Sequence, residues 1–571
     1  MHLETIALSS LSKVFPNKIS GEKITKLTAF GNEPVSFQIA FRTFDEDKET
    51  SPLFVRVESN LETDYISEYI VGYVPVINSS TMHANGYNAC DNCGIYPDLL
   101  LKRKVNAKTD TIIGWKNQCF EQDQENTITT TFGTYQSLWY TVNENGDDIK
   151  AGNYEIKISF YDTVNSEFVG SETVAIDVMP EMLPKQELLY TNWFHCDCLA
   201  DTYGVDIFSD KHFEIIKSFV KEAAKTGMNM ILLPAFTPPL DTPVGKERKT
   251  VQLVNVTKIG DNYTFDFSLM KRFISLCREC GIHKFEHNHM FTQWGARFAP
   301  KIMVTENGEY KKIFGWETDA TDSKYQLFLE QYFTALKEFF GEIGIKKEDI
   351  LFHISDEPAE KSFEYYKNAC KIMTKSLDGY TFGDAISNYS FFENGSCTLP
   401  IVIISSNEIQ RFADNCDNYW VYYTGAVVGD NYSNRLITTP SEMNRIIGIE
   451  MYANNAKGFL HWGFNYYYDL LSQGVFNPMC IPGGYRQNPG SSYMVYPKTD
   501  GTAIPSIRMK IFYEGINDYR ALCLLESKIG KEKTLEFINS TVGKISYTSV
   551  LSREEIFDFR LKLFDRICYE K

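Results

Sequence analysis

The hydrophobic period of this 571-residue chain changes once, near residue 180, and no single sheet or helical bundle accommodates both patterns. Before the change, runs such as Val35-Ser36-Phe37-Gln38-Ile39-Ala40-Phe41 and Tyr154-Glu155-Ile156-Lys157-Ile158-Ser159-Phe160 alternate apolar and polar residues between Gly, Asn and Asp turns. A period of two describes strands with one buried face. The turn at Ala151-Gly152-Asn153 opens one such strand and Val174-Ala175-Ile176-Asp177-Val178 returns beside it, which predicts the closing hairpin of a β-sandwich. Met179-Pro180-Glu181-Met182-Leu183-Pro184 then sets two prolines where a strand would need backbone donors, so it reads as a linker.

Beyond the linker, apolar strands alternate with amphipathic helices. Strands are predicted at Glu187 to Asn192, Met228 to Leu233, Lys284 to His287, Ile350 to Ile354, near Thr381, Ile401 to Ser405, Tyr419 to Tyr423 and Gly458 to Gly463. Helices are predicted over about His212–Thr226, Leu269–Cys280, Lys324–Ile343 and Ser362–Leu377. Eight βα units favour a closed parallel barrel, whose chemistry belongs at the carboxyl ends of its strands. The expected fold class is therefore α/β with an all-β N-terminal domain: a β-sandwich over 1–180, a (β/α)8 TIM-like barrel over 186–505, and C-terminal helices over 506–571 packed on the barrel.

The net charge of -17 repels nucleic acid and anionic membrane, so a neutral substrate fits better. There is no run of 18 apolar residues to span a membrane, and the first residues lack a basic and apolar leader. The expectation is a cytoplasmic protein, or a secreted one whose signal has been removed. Thirteen scattered cysteines do not make a disulfide scaffold. Cys90-x-x-Cys93 and Cys196-x-Cys198 have the spacing of half a zinc site, but each lacks a second half nearby.

The strongest local signal is His353-Ile354-Ser355-Asp356-Glu357-Pro358, in which a buried strand runs into two acids and a proline. The same acids would suit the first turn of the next helix. Side by side, however, they repel one another, which raises the pKa of one and suits it to donate a proton. Conventional glycosidases place two carboxyls across the sugar, about 5 Å apart or wider, and adjacent residues rarely reach that. A mechanism suited to neighbours lets the substrate's 2-acetamido oxygen attack the anomeric carbon while one acid orients the amide and the other protonates the leaving oxygen.

The order of sandwich, barrel and helical tail, together with four motifs, resembles glycoside hydrolase family 123. The motifs are Ser355-Asp356-Glu357-Pro358, Gly458-Phe459-Leu460-His461-Trp462-Gly463-Phe464-Asn465, Ser506-Ile507-Arg508 and Glu514-Gly515-Ile516-Asn517-Asp518-Tyr519. The resemblance implies a retaining exo-β-N-acetylgalactosaminidase that removes terminal β-GalNAc from glycans such as those of glycosphingolipids. By the same resemblance, Asp356 orients the acetamido group and stabilises the oxazoline-type intermediate, Glu357 is acid and then base, and no metal or organic cofactor is needed.

Residues at strand ends are candidates for the sugar pocket: Asn192 and Trp193, His287 and His289, Tyr422 and Tyr423, Trp462 and Asn465, and Tyr496 in a later loop. Trp462 suits stacking on a sugar, and Asn192 and Asn465 suit hydroxyl recognition. His287, His289, His353 and His461 could instead assemble a metal site at the barrel mouth. Two alternatives stay open. In a two-carboxylate glycosidase Glu357 is the acid and Glu286, Asp417 or Asp469 supplies the nucleophile; in a non-catalytic carbohydrate-binding protein the acid pair has no task.

Overall fold

The computed structural model describes residues 2–44, 52–77, 94–106, 127–163, 167–429, 431–472, 474–484 and 487–568. Cys90, Cys93 and Cys119 lie outside these residues, whereas Cys196 and Cys198 are buried free thiols at the start of the helix Cys196–Tyr203.

The alternating N-terminal runs form two five-stranded sheets. One contains Leu3–Ser9, Val35–Thr43, Gln136–Val142, Ile66–Val76 and Gly94–Arg103, in that spatial order. The other contains Lys26–Phe30, Glu167–Met179, Gly152–Asp162, Pro52–Ser59 and Thr127–Thr129. Phe37, Ile39, Phe41, Leu138 and Tyr140 of the first meet Val55, Val57, Ile156, Ile158 and Phe160 of the second, so the inward half of each alternation is the sandwich core. The expected hairpin is present, with Gly152 opposite Val178.

The second pattern gives eight parallel strands: β1 (Leu189–Asn192), β2 (Met230–Leu233), β3 (Lys284–His287), β4 (Ile350–Phe352), β5 (Thr381–Ala385), β6 (Leu399–Ile403), β7 (Trp420–Tyr422) and β8 (Gly458–His461). Ladders join them in sequence from β2 to β8 and then from β8 to β1. No strand ladder joins β1 to β2. Asn229 bridges that gap: its backbone N–H donates to the Tyr190 carbonyl at 3.1 Å, while its side chain accepts from Tyr190 N–H at 2.9 Å and donates to the Leu188 carbonyl at 3.0 Å. Met230, Leu232, Leu351, Ile401, Trp420 and Leu460 fill the barrel, and the helices Asp210–Lys225, Ser268–Glu279, Ser323–Glu342 and Phe363–Ser376 lie close to their expected positions. One feature was not anticipated. Hairpins at Asn255–Asp266 and Ile302–Phe314, inserted on either side of β3, join into a four-stranded sheet of their own.

Two of the late motifs explain how the tail helix Ile507–Ile529 is seated. The Ser506 side chain caps that helix by accepting the Met509 N–H at 3.2 Å, and Arg508 reaches Asp98 of the sandwich at 3.0 Å with both side chains buried. Glu514 and Asp518 receive Arg445 at 2.9 and 2.8 Å, and Arg560 pairs with Glu33 at 2.7 Å. Gly448 and Gly515 let the helix Ile447–Ala453 and the residues before it cross closely, since a Cβ on Gly448 would stand 1.7 Å from the Gly515 carbonyl oxygen and one on Gly515 would stand 2.5 Å from that of Arg445. These residues form a charge-paired seam between sandwich, barrel and tail.

Candidate active site

The β4 ladder ends at Phe352, and beyond it the Asp384 carboxylate, from β5, accepts the N–H of Ile354 at 3.0 Å and of Ser355 at 3.4 Å. Ser355 Oγ donates to the Thr292 carbonyl at 2.8 Å and accepts the Ala296 N–H at 3.1 Å, and the Trp294 N–H donates to the Asp356 carbonyl at 2.7 Å. The acid pair is thus gripped by backbone bonds from two neighbouring elements. Glu357 has φ of 42°, a left-handed conformation that costs a residue with a Cβ about 1–3 kcal/mol and aims its carboxyl into the mouth.

Asp356 and Glu357 line one cavity of about 460 Å³ at the carboxyl ends of the strands. Trp193, Tyr422, Trp462, Tyr466 and Trp294 supply its aromatic walls, and His195, Asp241, Gln293 and Asn488 add polar groups. Tyr422 donates its hydroxyl to Glu357 Oε1 at 2.7 Å. Enclosure raises the Asp356 carboxyl well above the usual range; the Glu357 charge and then Asp384 add to this, and His353 opposes it. Enclosure therefore disposes Asp356 to hold a proton.

Beneath the pair, His353 is fully buried between two acids, with Nε2 2.8 Å from Glu286 and Nδ1 3.4 Å from Asp384. Burial alone would lower this imidazole, but the two carboxylates outweigh it and hold the ring protonated up to about 10. Glu286 also accepts Trp193 Nε1 at 3.0 Å and the Thr191 hydroxyl, so its oxygens are engaged. On the opposite wall, His195 is kept neutral, its pKa pushed down to about 3 by burial and by Arg248. Arg248 can only donate, so His195 Nδ1 accepts at 3.2 Å and Nε2–H donates to the Trp462 carbonyl at 2.8 Å, which ties Trp462 in place.

Of the residues expected to bind sugar, Trp193 and Trp462 line the cavity with the two acids, and Tyr422 joins them. Six are placed elsewhere, His287 among them, with Nε2 2.8 Å from the Tyr332 hydroxyl. Asn192 accepts from Arg435 at 2.7 Å on the outer side of the barrel wall. Tyr423 packs against Phe459 and His461 behind the strands. His289 is buried and stacked on His353 at 4.5 Å. Asn465 clamps the His195 backbone at 2.9 and 3.1 Å, and Tyr496 donates to Asp98 of the seam at 2.5 Å. For Asn192 and Tyr423 the reason is strand alternation: Thr191 and Trp193, Trp420 and Tyr422, and Leu460 and Trp462 face inward, so their neighbours along the strands face out. Asp241, Trp294 and Tyr466 went unsuspected because they lie in long loops, where no period marks them.

The four-imidazole metal constellation is not assembled. His287 lies 2.8 Å from the Tyr332 hydroxyl, and His461 accepts the Gly463 N–H at 3.1 Å. His289, His353 and Asp384 do converge within 4.8 Å, with His353 Nε2 already bonded to Glu286 at 2.8 Å and Nδ1 facing Asp384 at 3.4 Å. The candidate nucleophiles for a two-carboxylate site fare similarly. Glu286 lies below the cavity, Asp417 precedes β7 at the far end of the barrel, and Asp469 accepts the Leu470 N–H without lining the cavity.

No curated protein matches the sequence. Among solved structures, a family 123 glycoside hydrolase from Clostridium perfringens, described for glycolipid glycan hydrolysis, superposes with a TM-score of 0.71 at 16% identity, covering 99% of this chain and 97% of that one. A β-glucuronidase from Bacteroides uniformis gives a TM-score of 0.30 at 9% identity over 83% and 48%, and a family 5 mannosidase from Rhizomucor miehei gives 0.33 at 10% over 61% and 94%. The model of the glycoside hydrolase 123 catalytic domain matches residues 193–525, more than half of the sequence and all of the cavity lining. The chain belongs to glycoside hydrolase family 123.

Proposed function

We propose that this glycosidase is a retaining exo-β-N-acetylgalactosaminidase that uses the substrate's own acetamido group as nucleophile. The observation that carries the reading is the pairing of Asp356 and Glu357 on one gripped turn, both opening into one cavity from the same strand end. The acetamido oxygen attacks the anomeric carbon as Glu357 protonates the leaving oxygen, forming an oxazoline-type ring. Asp356 receives the amide N–H and balances the developing positive charge. Glu357 then takes a proton from water, which opens the ring with net retention. An arriving N–H donor and the His353 cation both favour the ionised form of Asp356. The family resemblance supports terminal β-GalNAc, and the glycolipid glycans named for the Clostridium perfringens structure support a glycan carrier.

One observation favours a second reading. Asp241 also lines the cavity, so a two-carboxylate mechanism has a candidate partner for Glu357. Its carboxylate, however, already accepts the Tyr466 hydroxyl and the Leu471 N–H. The test compares aryl β-GalNAc, β-GlcNAc and β-galactosides, with a thiazoline mimic of the cyclised intermediate as inhibitor. Turnover of the acetamido sugars with GalNAc preferred, together with thiazoline inhibition, supports the proposal. Turnover of plain galactosides, abolished in Asp241→Asn, would replace it with the two-carboxylate mechanism.

A further inference from the structure

Trp294 stands at the cavity mouth with 46% of its surface exposed. Its φ is 62°, that of Gly295 is 144° and that of Ala296 is 56°, so three successive residues hold positive-φ conformations, two of them carrying a Cβ. The segment is nonetheless held tightly. Trp294 N–H donates to the Asp356 carbonyl at 2.7 Å, Ala296 N–H to Ser355 Oγ at 3.1 Å, and a Cβ on Gly295 would stand 2.5 Å from Ser362 Oγ. Backbone strain and an indole left half in water each cost stability, and what they produce together is a flat apolar face beside the catalytic acids.

Depth in the cavity assigns the side of the substrate that this face meets. Trp193 is 3% exposed and Trp462 is half-buried, whereas Glu357 and Trp294 are open to solvent at the mouth. An enzyme that removes a terminal sugar takes that sugar inward and leaves the aglycone outward, next to the group that protonates the scissile oxygen. Asp241 and Glu357 also make the mouth acidic, which disfavours an anionic neighbour sugar. We propose that Trp294 is the stacking platform for a neutral pyranose on the leaving-group side, and so the residue that sets the preference for a sugar aglycone over a small leaving group. This rests on the acetamido-glycosidase reading and adds to it the residue that meets the aglycone.

The test measures kcat/KM for Trp294→Ala and Trp294→Phe on two substrates with the same glycone: a β-linked N-acetylhexosaminyl-hexose disaccharide and the N-acetylhexosaminyl fluoride, whose leaving group is too small to reach the indole. The expected result for Trp294→Ala is a loss of about tenfold or more on the disaccharide, with the fluoride within about twofold of wild type, and recovery of most of the loss in Trp294→Phe. Retained fluoride turnover shows that the variant is folded. An equal loss on both substrates overturns the proposal in favour of a purely structural hold on the Asp356 carbonyl, and no loss on the disaccharide overturns it outright. If wild type cleaves plain hexosides instead, the acetamido reading fails, and the same ratio taken with a hexose glycone still decides the platform.

Discussion

The seam around the tail helix and the mouth of the barrel are both rich in buried or enclosed charge, yet they are built on opposite plans. In the seam, acids from one part face bases from another: Asp98 faces Arg508, Glu33 faces Arg560, Glu144 faces Lys510 and Asp518 faces Arg445. In the mouth, Asp356, Glu357 and Asp241 share one cavity whose described lining contains no Lys or Arg. Paired charge holds parts together at little net gain, whereas unpaired acids are tolerated where ionisation is put to use. Two motifs that look alike in the sequence, Ser355 to Pro358 and Glu514 to Tyr519, therefore do different jobs, and the presence or absence of bases separates them.

The contrast breaks most sharply under substitution of the acids themselves. Asp356→Asn and Glu357→Gln should each lower kcat by about 10³–10⁴-fold, or about 4–5.5 kcal/mol in barrier, with unfolding midpoints near wild type. Glu357→Gln should be spared on aryl substrates with good leaving groups, whereas Asp356→Asn should not. A large stability loss in either would assign the acids to the seam's plan.

The converse experiment is Arg508→Met, which leaves Asp98 buried without its counter-charge. Denaturant unfolding should show a loss of about 3–5 kcal/mol, while kcat of the protein that remains folded stays within about twofold. A fall in kcat with unchanged stability would contradict the division.

His353 sharpens the comparison because it has the seam's chemistry beneath the mouth. It faces Glu286 from β3, Asp384 from β5, and the neutral His289 and Trp193 rings. Its pKa is raised from 6.5 to about 10 in the folded chain, so the stability it contributes is complete below about pH 6.5 and is lost as pH rises toward 10. In His353→Gln the unfolding free energy should lose much of that decline between pH 6.5 and 10. The acid limb of kcat/KM should also move to higher pH, because a cation that favours ionised Asp356 is gone. An unmoved acid limb would confine His353 to structural support.

The smallest difference is expected within a single strand. Tyr422→Phe removes the donor to Glu357 and should cost about tenfold in kcat/KM, whereas Tyr423→Phe removes a hydroxyl with no hydrogen-bond partner among the described residues and should change it less than twofold.

That pair also marks how far the sequence could be read. Periodicity located all eight barrel strands, the sandwich hairpin and the acid pair, because burial imposes a period and because two acids followed by proline are conspicuous at a strand end. It did not separate Tyr422 from Tyr423 or Trp193 from Asn192, since facing direction depends on the phase of each strand and a one-residue uncertainty reverses it. Asp241 and Trp294 escaped for a different reason: loop residues carry no period, and only the folded backbone shows which of them reach the cavity. Ser506 to Arg508 and Glu514 to Tyr519 stood out as motifs, but their purpose needed the partners Asp98 and Arg445, which are distant in sequence.

The bridge at Asn229 has a consequence for heat inactivation. Seven junctions of the barrel are strand ladders and one is a single residue, Asn229, with one backbone and two side-chain bonds, so on warming the ring should part first between β1 and β2. Trp193 directly follows β1, and Leu240 and Asp241 follow β2, so the two walls of the cavity sit on either side of that weakest joint. Activity should therefore fail several degrees before the barrel melts, and the first amides to exchange should be those of Tyr190 and Asn229.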